Sequence, residues 1–169
     1  MGKKSVKENK NIYQLSREEN ELTRDAASEL MGFVSSDRIE KIESEKSLPH
    51  PDEILAMAEA YKAPHLCNYY CSHECPIGQE FVPEIEIKDL AQITLEMLAS
   101  LNAMDKAKNR LIEITADGVI DEDEYADFAK IQKQLNQISM AVDSLQLWVN
   151  KTIADGKIDK EGYEAAVKK

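Results

Sequence analysis

The sequence has few of the residues that interrupt helices. It holds six glycines and five prolines in 169 residues, and aromatic side chains make up 6% of it. Alanine, glutamate, lysine and leucine fill much of the rest, and that balance predicts an all-α protein. No apolar run approaches the length of about 18 residues that a membrane-spanning helix needs, so no membrane partner is expected. The opening MGKKSVKENK is followed by no apolar stretch, so no secretory signal and a cytoplasmic location are expected. Positive charge is also scarce. The 21 lysines and arginines face 32 aspartates and glutamates, a formal net charge of −11, which argues against non-specific coating of nucleic acid by clustered cations. Serine–base pairs, phosphate-binding glycine loops and paired-histidine metal motifs are missing, and His50, His65 and His73 all lie in the first half. An enzyme is therefore not expected.

The charge that is present is uneven. Residues 1–76 are net −4 and residues 77–169 net −7, and Arg17, Arg24 and Arg38 fall within the first 38 positions. Between the halves, CPIGQEFVPEIEI carries Pro76, Gly78 and Pro83 without helical spacing. The pattern divides the chain into an N-terminal domain at 1–74, a linker at 75–88 and a helical domain at 89–169.

Short helical patterns follow one another in the first part. Residues 12–20 form the first, and Thr23 stands as an N-cap before RDAASELM, with Gly32 as its C-terminal stop. Ser35 caps SDRIEKIES, where Ile39 and Ile42 share a face. Pro49 and Pro51 punctuate, and Asp52 is an N-cap or first-turn acid for DEILAMAEAYK. Helices this short are marginal alone and must pack together.

This run resembles the Cro/lambda-repressor-like (XRE) class of helix-turn-helix domains. The likeness rests on Thr23, Ser28, Gly32, Val34-Ser35, Ile39, Ile42-Glu43, Lys46, Pro49 and Met57-Ala58-Glu59-Ala60, and it covers about a third of the chain. Phe33 is an extra residue in the turn, Glu45 stands where the family favours a glycine able to adopt positive φ, and Arg24 replaces a phosphate-contacting glutamine. The resemblance implies a bundle of four or five helices whose third helix enters the DNA major groove. At about 100° per residue, with Ile39 and Ile42 inward, the opposite face centres on Asp37, Lys41 and Ser44, flanked by Arg38 and Glu40. DNA contact would then involve Thr23, Arg24, Ser35, Ser36, Asp37, Arg38, Glu40, Lys41 and Ser44. Lys41, Arg38 and Ser36 would supply the attraction, and Asp37 or Glu40 would accept from cytosine. The alternative is a helix-turn-helix fold kept as a protein-interaction module, with these charges merely solvated.

All three cysteines lie in HLCNYYCSHECP, as Cys67, Cys71 and Cys75. A structural disulfide is not expected in a reducing compartment. Three readings stay open. The thiols can cap the N-terminal core as small hydrophobes. Cys67, Cys71, His73 and Cys75 can hold zinc or an iron–sulfur cluster. A redox-active pair would make the segment a thiol sensor.

The second part is strongly periodic. Residues 89–115 contain no glycine or proline, with Leu90, Met97, Met104 and Leu111 recurring every seven and Ile93 and Leu101 between them. After a turn, Phe128, Ile131, Leu135, Ile138, Val142, Leu145 and Val149 form a heptad seam beside Trp148. Two such helices predict an antiparallel coiled-coil hairpin, with a short third helix at 160–168. ADGVIDEDEY at 116–125 recurs as ADGKIDKEGY at 154–163. A calcium-loop reading of the first copy fails in the second, where Gly162 takes the place of the acid Glu124. The repeat reads better as a capped turn between helices. The whole predicts a small bacterial or phage transcription regulator that binds double-stranded DNA and forms a homodimer through its hairpin.

Overall fold

The computed structural model describes residues 10–168. Among them every regular element is helical: α1 Ile12–Glu19, α2 Arg24–Met31, α3 Ser36–Glu43, α4 Pro51–Ala60, α5 His65–Tyr69, a π turn Tyr70–Glu74, α6 Pro76–Phe81, α7 Leu90–Ile114, α8 Tyr125–Ala154 and α9 Lys160–Val167. No helix among the described residues is long and apolar enough to cross a membrane. The chain divides into two compact units, one ending at Glu84 and resuming at Val149, the other Ile85–Trp148.

The first unit starts its helices where the caps lie in the sequence. Asn11 accepts from Gln14 N, Thr23 from Ala26 N and Ser35 from Arg38 N, each satisfying one of the amides a helix start leaves open. Gly32 closes α2 at φ 75°, a left-handed conformation glycine adopts without a Cβ clash. Pro51 opens α4, so Asp52 is a first-turn acid and not the cap. Each short helix then buries one face in a common core. Ile39 and Ile42 of α3 are 0% and 1% exposed, packed among Tyr13, Val34, Ile54 and Met57. Burying each such side chain contributes roughly 1.5–3 kcal/mol, which holds an eight-residue helix that would not persist alone.

Two features differ from the sequence reading. The expected linker at 75–88 contains α6, which begins at Pro76, a residue pre-set for the first helical position. The residues from Val149 onward belong with the first unit and not with the hairpin. Val149 is buried, and Lys151 Nζ donates to the Lys62 carbonyl at 3.0 Å.

In the second unit α7 and α8 pack as the long pair. The face that α7 buries or half-buries runs through Ile93, Met97, Ser100, Met104, Ala107, Leu111 and Ile114. On α8, Ile131, Ile138 and Leu145 turn inward as the heptads predict. Leu135 and Val142 do not, being 44% and 51% exposed, and their neighbours Gln134 and Ala141 are the more buried residues there. Small side chains lie in both inner stripes, Ser100, Ala103 and Ala107 on α7 and Ala141 and Ser144 on α8, and the Arg110 Nε to Asp127 bond at 2.8 Å ties the two helices beside Ala107 and Ile131. The repeated turns carry Gly118 at φ 78° and Gly156 at φ 73°. Asp121 N donates to Glu124 Oε2 at 3.2 Å, and Asp159 Oδ2 accepts from Gly162 N at 2.7 Å, which is helix capping.

Candidate nucleic-acid interface

The segment formed by α2, its turn and α3, with their caps, holds the residues for which the helix-turn-helix resemblance implies DNA contact. Thr23 and Ser35 spend their hydroxyls as caps, at 3.1 Å to Ala26 N and 3.2 Å to Arg38 N. With Ile39 and Ile42 turned into the core, Asp37 and Lys41 are exposed, and Ser36, Glu40 and Ser44 are half-buried. Glu40 accepts from Lys46 Nζ at 3.1 Å, and that ammonium holds its carboxyl below the usual range.

The two arginines expected to meet DNA have different positions. Arg38 turns inward along the helix flank. Its Nε and Nη2 each donate to Glu53 at 2.7 Å, Nη1 donates to Ser47 Oγ, and Nη2 also reaches the Leu48 carbonyl. The pair lowers the Glu53 carboxyl and raises the Arg38 guanidinium. A bidentate pair with two further acceptors leaves no fork for a base edge, so Arg38 is a structural residue of the α3–α4 junction. Arg24 is tethered by one nitrogen only. Its Nε donates to Glu43 Oε2 at 2.8 Å while its side chain stays 38% exposed.

Glu43 is what sequence reasoning left without a role. Its side chain is 1% exposed, and it also accepts from Arg17 Nε at 2.6 Å and Arg17 Nη2 at 3.0 Å. One buried carboxylate is thus shared by two guanidiniums from α1 and α2. The Ile-x-x-Ile-Glu spacing marked the residue, but nothing local pointed to Arg17.

The cysteine segment lies elsewhere in the same unit. The chain passes from α5 into the π turn, where Cys75 N donates to the Tyr70 carbonyl at 2.9 Å. Cys67, Cys71 and Cys75 are free thiols, all half-buried. Cys67 packs against the hydrophobic core, and burial pushes its thiol up. His73 stacks on Tyr69 with ring centroids 4.4 Å apart, and its Nε2 lies 3.6 Å from Glu84 Oε2. His65 faces Ser16 Oγ at 3.3 Å, and burial lowers its pKa. Among the described residues no three histidine, cysteine or acidic side chains gather as a metal-holding group. The placement of Cys67 matches a core-capping thiol.

Compared with known proteins, the chain matches no family model, and no curated protein or solved structure is significantly similar to it.

Proposed function

We propose that this chain is a sequence-specific regulator acting in the cytoplasm, binding double-stranded DNA through α2 and α3. The observation that carries the reading is the pairing of an open α3 face with a pre-aimed cation. Asp37 and Lys41 point to solvent from a helix whose inner face is wholly buried, and Arg24 at the start of α2 is held by Glu43 with its terminal nitrogens uncommitted to that carboxylate. In a major-groove placement, Lys41 supplies the base or phosphate contact, Arg24 the phosphate contact that fixes register, and Asp37 an acceptor for cytosine N4. Arg38 is left out of the interface.

A second reading has its own support. Leu30 near the end of α2 and Phe33 in the turn to α3 are 63% and 62% exposed, and apolar residues beside the reading helix suit a protein partner better than a phosphate backbone. Selection from random duplexes by the purified chain separates the two. Under DNA binding an enriched sequence emerges, Lys41→Glu abolishes its capture, and Lys41→Ala weakens it by about 1–3 kcal/mol. Recovery of no enriched sequence by the folded protein overturns the DNA reading, and loss of partner capture on Phe33→Asp then supports the other.

A further inference from the structure

The heptad signal on α8 is only half used by α7, and the unused half shows what covers it. Leu135 and Val142, seven residues apart, are 44% and 51% exposed, with half-buried Phe128 in register one heptad earlier. On α7, Leu90, Leu101 and Ile112 recur every eleven residues and are 41%, 47% and 65% exposed. At about 100° per residue, both rows lie roughly a quarter to a third of a turn from their helix's buried stripe, in the same rotational sense. In antiparallel helices the same sense puts both rows on one side of the pair. The two rows therefore give the α7–α8 hairpin a shared apolar face.

Charge sorts to the other side. The opposite groove between α7 and α8 carries Lys106, Arg110, Asp127 and Lys130 beside alanine, isoleucine and glutamine side chains. On the apolar side the α8 row is interspersed with the uncharged Gln132, Ser139 and Gln146, and α7 contributes one acid and one base, Asp105 and Lys108, 2.8 Å apart. The face is thus neutral and self-complementary in charge on a chain of net charge −11. Two copies can meet there without the repulsion that other surfaces of so acidic a chain would bring. Its extent also suits a second copy. From residue 90 to 112 at 1.5 Å per residue it is about 33 Å long, and two helices side by side make it about 18 Å wide. Roughly 600 Å² per partner reaches the lower edge of the range for specific stable interfaces.

We infer that the exposed face of α7 and α8, through Leu90, Leu101, Ile112, Leu135 and Val142, docks a second copy of this chain to form a two-fold four-helix bundle. This stands independently of what α3 binds. The test is the mass of the full chain by sedimentation at about 1–100 µM, with far-ultraviolet dichroism as the check on folding. The wild type is expected near twice its 19.1 kDa. Leu101→Lys and Val142→Glu are each expected to raise the dissociation constant by about a hundredfold at unchanged helicity, since charge enters the centre of the contact. A 1:1 mixture of Leu101→Lys with Leu101→Glu is expected to restore the dimer across the two-fold. A monomeric wild type throughout the range overturns the proposal, whatever the variants do. So does a dimer that persists unchanged in both folded variants, because another face then holds it. If a variant loses helicity, the charge-reversed mixture decides. Recovery of a dimer supports the face, and two monomers overturn it.

Discussion

At position 43 a carboxylate with 1% side-chain exposure accepts from Arg17 and Arg24, and this arrangement sets what the neighbouring surface can do. An ion in the interior costs several kcal/mol to desolvate, and two guanidiniums with good geometry are what offset it. Arg17 is consumed by the bond and is itself buried, whereas Arg24 gives up one nitrogen and keeps the rest at the surface. A second single-residue effect lies two positions on. Glu45 sits at φ 60°, in the left-handed region where an L side chain costs about 1 kcal/mol or more, and it follows directly on the Ser44 cap of α3. Glu45→Gly is expected to stabilise the chain by about 0.5–1 kcal/mol, the relief of strain exceeding the added entropy of the unfolded glycine. Thermal unfolding would read this as a midpoint raised by a few degrees, and an unchanged or lowered midpoint would show that the backbone at 45 is not strained. The position was legible in sequence, because the helix-turn-helix pattern calls for glycine there. The arginine locks were not. Arg38 to Glu53 and Arg17 to Glu43 join residues 15 and 26 apart, and no local spacing rule reaches that far.

Among the elements, the caps at Thr23, Ser35 and Asp159 and the stops at Gly32 and Gly156 were readable because each acts within a few residues of its helix end. The π turn was not readable, because its cause is a close approach between segments. A Cβ built on Gly78 would lie 2.0 Å from the Cys71 carbonyl oxygen and 2.9 Å from Cys71 Cα. Only glycine lets α6 pack directly onto the turn that carries Cys71. Gly78→Ala is expected to destabilise the first unit by about 1–3 kcal/mol, as overpacking against rigid backbone does, and to raise the reactivity of the half-buried Cys71 as α6 lifts away. Urea unfolding and the rate of thiol labelling measure the two effects. Wild-type stability in the alanine variant would mean that α6 does not pack on the turn in solution. The seam of α8 was half legible. Periodicity found Ile131, Ile138 and Leu145, but it ranked Leu135 above Ala141, because heptads score apolar bulk and the structure buries the smaller residue instead.

Over the whole molecule the net charge of −11 and the ion pairing around α3 together set how the proposed DNA binding would respond to salt. Affinity for a duplex falls with salt in proportion to the phosphates neutralised, with a logarithmic slope of about −0.9 per phosphate. Around α3, Arg17 and Arg38 are committed to internal carboxylates, and Lys46 is paired with Glu40. Lys46 keeps 63% of its side chain exposed, but of the residues assigned to the proposed interface Lys41 and Arg24 are the cations with exposed charge. Two copies on paired half-sites would then neutralise about four phosphates, for a slope near −3.6. Between about 50 and 200 mM salt the affinity for the selected duplex is expected to fall by about a hundredfold, where a basic regulator making six to ten phosphate contacts loses roughly 10³–10⁵. Arg24→Gln should then reduce the slope by about two for the dimer while leaving the preferred sequence unchanged, since phosphate contacts position and do not specify. Titration of the selected duplex at four or five salt concentrations measures both. A wild-type loss above about a thousandfold would show that cations outside α2 and α3 reach the backbone. An unchanged slope in Arg24→Gln would show that Glu43 holds the arginine away from DNA, making it as structural as Arg38.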